Sequence, residues 1–148
     1  MQKVYRKFIT KCDIEYLKQL HWDKNFALYR SAHILNTNNR VINKMLDALK
    51  EDFDFEVLKE SYCRIEETPT DGRDWHSDIG SSGQMPWCQV GCSILLENNC
   101  DGGKMYYKED DKVIEVERDV LDLCAHSSNV LHKIDPPNGY RLVFLIFI

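Results

Sequence analysis

The sequence has no apolar run long enough to cross a bilayer. Its longest, Leu142 to Ile148, is far short of the roughly 20 residues a spanning helix needs and reads as a buried strand. An export signal is also missing: Met1 to Lys7 is charged and no apolar segment follows it. These absences give the expectation of a soluble, cytoplasmic protein with no membrane partner. Runs of Lys and Arg are absent as well. With a formal net charge of -5 and a pI near 5.5, the chain lacks the basic stripe of a protein that grips phosphates, and no nucleic-acid partner is expected. The six cysteines (Cys12, Cys63, Cys88, Cys92, Cys100 and Cys124) include no C-x-x-C pair. Without a secretion signal they are expected as reduced thiols, and Cys88, Cys92 and Cys124 lie in apolar runs where free cysteine packs as a small hydrophobe. Internal repeats and low-complexity segments are absent too.

What is present fits one domain. A chain of 148 residues with 43% hydrophobic content can build one core but not two, so residues 1–148 are expected as a single unit. Helical support is expected over roughly residues 1–54, and a β core over roughly 55–148. Ile14, Leu17 and Leu20 recur at three-residue steps after Thr10 or Asp13 as a cap. Val41, Ile42, Met45, Leu46 and Leu49 form one helical face, capped by Asn38 or Asn39. Phe26–Leu35 between them is ambiguous, with a strand as one reading. From about Phe55 the period becomes two, with candidate strands at Phe55–Ile65, Asp74–Ile79, Val90–Leu96, Lys104–Tyr107, Val113–Glu117, Val120–Cys124, Val130–Ile134 and Tyr140–Ile148. Turn signals lie at Pro69–Gly72, Gly80–Gly83, Asn98–Gly103, Glu109–Asp111 and Pro136–Gly139. Eight short strands with regular turns point to a mainly β sandwich or barrel.

Chemistry enters at His76-Ser77-Asp78. In a strand, residues two apart share a face, so an imidazole and a carboxylate can converge on one ion. Such a pair arises readily by chance in a chain with 5 His. His132, in a later short strand, completes two His plus one carboxylate, the ligand set of non-haem Fe(II) oxygenases, which leaves open positions for a chelating keto acid and dioxygen. Arg141 follows at the head of the last apolar strand, and its guanidinium fork suits the distal carboxylate of 2-oxoglutarate. A four-residue hairpin loop, Pro136–Gly139, would put Arg141 on the same face as His132; a five-residue loop without a bulge would turn it outward.

The chain resembles the prolyl 4-hydroxylase-like branch of the Fe(II)/2-oxoglutarate-dependent oxygenases. The resemblance runs from about Tyr62 to the C-terminus. It rests on Trp75-His76-Ser77-Asp78, Ser93-Ile94-Leu95-Leu96-Glu97, Asp101-Gly102-Gly103-Lys104, Asn129 to Ile134 and Gly139-Tyr140-Arg141, in that order. It implies a double-stranded β-helix (a jelly-roll, cupin-like core) with His76, Asp78 and His132 on iron and Arg141 on 2-oxoglutarate. It also implies O2 as oxidant, ascorbate as a reductant, and hydroxylation of a C–H bond with release of succinate and CO2. The expected substrate is a peptidyl side chain, proline first, with small molecules as the other class; oligomeric state stays open. Two tyrosines usual in this branch are missing, since Arg64 is followed by Ile65 and the strand before Gly102-Gly103 carries Ile94-Leu95. Tyr62, Tyr106 and Tyr107 are the candidate replacements. The arginine-rich tail of the nucleobase-demethylating branch is absent after His132.

Other readings stay open. One is a cupin-like module that holds a metal without turnover, which the missing tyrosines favour. Another is a zinc site from Cys88, Cys92, Cys100 and either Cys124 or His126, although these spacings match no common zinc module. His126, placed in an expected turn, competes with His132 as the distal ligand. Trp75 and Trp87 are candidates for the substrate entrance or for core packing. Specificity is expected from the N-terminal part and from the loops Glu66–Arg73 and Ile79–Trp87.

Overall fold

The computed structural model describes residues 1–22, 31–80 and 85–148. Helix α1 spans Lys11–Trp22 and helix α2 Arg40–Leu49. Thr10 rather than Asp13 caps α1. The Asp13 N–H donates to Thr10 Oγ1 at 3.1 Å while the Thr10 N–H donates back to Asp13 Oδ2 at 3.0 Å, a reciprocal box that satisfies two otherwise orphaned donors. Asn39 caps α2, its Oδ1 accepting from the N–H groups of Val41 (2.9 Å) and Ile42 (3.2 Å). Both apolar faces are buried as their spacing predicts, with Ile14, Leu17, Ile42 and Met45 in one cluster with Ile94 and Phe144. Of the ambiguous Phe26–Leu35 segment, residues 23–30 lie outside the described ones; Ser31–His33 is a strand followed by a 3₁₀ turn over Ile34–Asn36.

The strands are β1 (Gln2–Tyr5), β2 (Ser31–His33), β3 (Tyr62–Glu67), β4 (Arg73–His76), β5 (Val90–Gly102), β6 (Met105–Glu109), β7 (Lys112–Glu115), β8 (Leu123–Ser127), β9 (Leu131–Ile134) and β10 (Pro137–Phe147). They form a six-stranded sheet in the order β1-β8-β5-β10-β3-β2 and a four-stranded sheet in the order β4-β9-β6-β7. Every pairing is antiparallel. From β3 onward the chain alternates between the sheets, only β6 and β7 following each other in one. That is the expected double-stranded β-helix. The helices cover the outer face of the larger sheet. On β10, Leu142, Phe144 and Ile146 face the helices, while Arg141, Val143 and Leu145 line the space between the sheets. The segment expected as helical support also supplies strands, since β1 extends the sheet beside β8 and β2 beside β3.

Three local expectations change. Asn98–Gly103 is not simply a turn, because β5 continues to Gly102. Pro136–Gly139 is not a hairpin loop, because Pro137 opposite Gly102 and Gly139 opposite Cys100 already belong to the β5–β10 ladder. A paired partner strand here overrides the turn preference of Asn, Pro and Gly. Phe55–Ile65 also shortens, the strand starting only at Tyr62. In consequence, β9 and β10 are not a hairpin: β9 pairs with β4 and β6, and β10 with β5 and β3. Asp135 and Pro136 carry the chain from one sheet to the other, so the loop length that was to orient Arg141 has no bearing on it.

Candidate metal centre

β4 and β9 bring the first and last candidate ligands face to face. His76 closes β4 directly opposite His132 in the ladder, their ring centroids 4.3 Å apart, and Asp78 lies in the turn beyond. One ligand atom from each of the three falls within 4.8 Å of the others, and no other such group occurs among the described residues. Both rings are held by backbone. His76 Nδ1 lies 2.7 Å from the Asp74 carbonyl and His132 Nδ1 2.9 Å from the Val130 carbonyl. A carbonyl only accepts, so each Nδ1 carries the proton and each Nε2 lone pair is left for a metal. Asp78 is 4% exposed, with Oδ1 3.5 Å from His132 Nε2.

The electrostatics suit the same reading. Burial alone would raise the Asp78 carboxyl, but the hydrogen bond from His126 and the nearby imidazoles outweigh it and hold the group below the usual carboxylate range. Burial, reinforced by His126, pulls His132 down to about 4, so its ring is neutral at physiological pH. Two neutral imidazoles and one carboxylate on one side of an ion fit Fe(II), which prefers this mixed nitrogen–oxygen set with open positions.

His126 is the residue whose placement was misread. It lies in β8, not in a turn, and is 5% exposed. Its Nε2 is 2.7 Å from Asp78 Oδ2 and its Nδ1 2.9 Å from the hydroxyl of fully buried Tyr107. The signal was the alternation in Leu123-Cys124-Ala125-His126: Leu123 and Ala125 join the helix-side core, which sends Cys124 and His126 inward. Gly91 makes room for the pair. A Cβ there would sit 1.9 Å from Asp78 Oδ2 and 2.8 Å from His126 Nε2.

Arg141 points into the same cavity, about 80 Å³ in volume, that His76, Asp78 and His132 line. It is 4% exposed and donates through Nη1 to Thr68 Oγ1 at 2.7 Å. No ion pair to it is found among the described residues. Burial and the neighbouring Arg118 lower its guanidinium to about 10. Arg118, which sequence reasoning missed, lines the cavity too and donates to Ser93 Oγ at 2.7 Å. Two guanidiniums around one small space are arranged for an anion. Gly102 and Gly103 are both at positive φ, and a Cβ on Gly103 would meet Arg141 Cδ at 3.0 Å.

None of the three candidate tyrosines lines this cavity. Tyr107 is bonded to His126, Tyr62 reaches Met85 Sδ at 3.5 Å, and Tyr106 lies under the charge of Asp135. Outside the cavity a cleft of about 820 Å³ runs past His76 and Asp78, lined by Tyr62, Trp75, Met85, Leu131 and Phe147 with Arg64 and Arg73. Trp75 therefore lines the cleft, while Trp87 packs edge-on against Tyr62 at 6.0 Å. Of the loop Ile79–Trp87, residues 81–84 lie outside the described ones. The cysteines assemble no metal site among the described residues; Cys63, Cys88, Cys92 and Cys124 are buried.

No family model and no curated protein matches the sequence. Solved structures do match its fold. A Pseudomonas putida prolyl-4-hydroxylase aligns with a TM-score of 0.73 at 15% identity, over 99% of this chain and 87% of its own. A Trichoplax adhaerens prolyl hydroxylase, in complex with a hypoxia inducible factor peptide fragment, gives 0.68 at 14% identity, over 99% and 82%. HygX from Streptomyces hygroscopicus, with nickel and 2-oxoglutarate bound, gives 0.68 at 12% identity, over 99% and 80%. The fold is that of the prolyl hydroxylase-like 2-oxoglutarate oxygenases.

Proposed function

We propose that this chain is an Fe(II)- and 2-oxoglutarate-dependent oxygenase that hydroxylates a C–H bond of a peptidyl side chain such as proline, releasing succinate and CO2. One observation carries the reading: His76, Asp78 and His132 converge in the same cavity as a buried arginine without an ion-pair partner among the described residues. His76 Nε2, His132 Nε2 and Asp78 Oδ1 would hold the iron on one side. When bound, iron with 2-oxoglutarate and O2 supplies the oxidising power for attack on an unactivated C–H bond. The protein's own work is binding and orientation. Arg141 receives the distal carboxylate of 2-oxoglutarate, with Thr68 fixing the guanidinium and Arg118 adding a second positive charge in place of the missing tyrosines. Apolar Met105, Ile134 and Val143 line the cavity and limit water around the reacting centre. The wide cleft beside His76 suits an extended chain segment better than a small molecule, and its aromatic lining suits an apolar side chain such as proline.

Under anaerobic conditions, Fe(II) and 2-oxoglutarate should give the weak visible charge-transfer band of the chelate. Once oxygen is admitted, proline-containing peptides should drive succinate formation, and His132→Ala should abolish both signals. Absence of the band in the wild-type protein, with no succinate from any peptide or small molecule tried, would refute the assignment and leave a metal-holding module without turnover. That second reading has one observation in its favour, a third imidazole, His126, beside the carboxylate ligand.

A further inference from the structure

We propose that His126 is a positioning residue, clamped between Tyr107 and Asp78, that restricts Asp78 to ligation through Oδ1 alone. The inference rests on the metal reading of the triad but not on the identity of the co-substrate. Three imidazoles and a carboxylate crowd one cavity, with the His126 and His132 ring centroids 4.3 Å apart. If His126 were a fourth ligand, an octahedral ion would keep two open positions. A bidentate keto acid and dioxygen together need three.

The geometry decides against ligation. Asp78 Oδ2 is an acceptor, and at 2.7 Å it takes a hydrogen bond from His126 Nε2, which therefore carries its proton there. The tautomer that satisfies both ring nitrogens has Nδ1 accepting from the Tyr107 hydroxyl at 2.9 Å. A phenol is protonated at neutral pH, so the hydroxyl has a proton to donate. With Nε2 turned to a carboxylate and Nδ1 to a phenol, neither nitrogen has a lone pair free for metal. Tyr107, His126 and Asp78 are all nearly inaccessible, and Gly91 has no side chain to force the pair apart. With Oδ2 occupied by this chain of hydrogen bonds, only Oδ1 faces the Nε2 of His132. Such an outer hydrogen bond fixes the orientation of a ligand and so strengthens metal binding.

The test uses metal alone. The intact protein is loaded with Cu(II) and the coupled imidazole nitrogens are counted by pulsed electron paramagnetic resonance. Two imidazoles are expected in the wild-type protein and two in His126→Gln; three falling to two would make His126 a ligand and overturn the proposal. Mn(II) affinity is then titrated. His126→Ala should bind about 10–100-fold more weakly. His126→Gln, whose carboxamide N–H can still reach Oδ2, should recover most of the loss. Tyr107→Phe, which removes one hydroxyl from a retained ring, guards against a folding failure in the alanine variant and should weaken binding by a smaller factor of about three. Wild-type Mn(II) affinity in both His126→Ala and Tyr107→Phe would also overturn the proposal. Absence of succinate formation by the wild-type protein, with these metal results obtained, would count against the oxygenase reading and leave the role of His126 standing.

Discussion

Replacing Arg141 by Met should make the ligand-free protein more stable while removing its response to 2-oxoglutarate. The guanidinium is 4% exposed and its pKa is pulled well below the ordinary arginine range, to about 10, first by burial and then by the charge of Arg118. A folded-state pKa below the unfolded one means that the protonated form is disfavoured by folding. The penalty is therefore fully present below pH 10 and fades as pH rises above it toward the ordinary arginine range. At ~1.36 kcal/mol per pH unit it amounts to about 3 kcal/mol at neutral pH. Against it stands the hydrogen bond to Thr68 Oγ1, a contact from a charged donor that is worth about 1.5–3 kcal/mol. Methionine fills a similar volume with no charge, so the variant should gain about 1 kcal/mol, or about 2–4 °C in Tm. A co-substrate at a hundred times its Kd should in turn raise wild-type stability by about 2.7 kcal/mol. Removing one partner of a buried charge pair costs about 2–5 kcal/mol of binding, enough to erase that protection. Differential scanning calorimetry with Mn(II) and no oxygen, with and without 2-oxoglutarate, measures both effects. A ligand-free Arg141→Met protein several degrees less stable than wild type, or equal protection of both by 2-oxoglutarate, would refute the reasoning.

The other predictions use the same geometry. His132 titrates at about 4 in the folded chain against an ordinary 6.5, so its contribution to stability is present above pH 6.5 and is lost as pH falls toward 4. For metal-free protein the loss should be about 3 kcal/mol, read by urea denaturation across that window, with a shallower slope in His132→Gln. Gly91→Ala would place a methyl group 1.9 Å from Asp78 Oδ2, so Mn(II) affinity should fall about 10-fold or more while circular dichroism stays unchanged. Asn39→Ala removes the acceptor for two N–H groups at the start of α2 and should lower stability by about 1 kcal/mol, seen as a drop of about 2–4 °C in Tm with no effect on metal binding.

The cluster of His76, Asp78 and His132 was legible because its information is local or compositional. His76 and Asp78 are two residues apart, and the preference of iron for two imidazoles and a carboxylate calls for a later histidine, a place for which His126 and His132 compete. Helix caps and apolar faces were legible for the same reason: Thr10, Asn39 and the spacing of Val41 to Leu49 act within one or two turns. Strand partners were not. Period-two alternation says which residues share a face but not which strand lies alongside, so adjacent β9 and β10 read as a hairpin although they belong to different sheets. The Asn98–Gly102 and Pro137–Gly139 segments have turn composition and become strand only because each supplies the other's ladder.

That distinction explains why Arg141 lines the same cavity as His132 although the hairpin expected to place it there does not form. The hairpin was to bring it beside His132. In the structure it arrives from the opposite sheet, on the face of β10 that alternates with Leu142, Phe144 and Ile146. The apolar run after Arg141 fixes that alternation: with three large side chains committed to the helices, the arginine has to face the interior whatever strand lies beside it. His126 obeys the same rule through Leu123 and Ala125, yet the flanking Ser127-Ser128 made it look like a turn residue. A buried charged or titratable residue at an inward position of such a strand is therefore the pattern to search for. It needs only the parity of its apolar neighbours, whereas the partner that satisfies it, Thr68 for Arg141 or Asp78 for His126, emerges only from the fold.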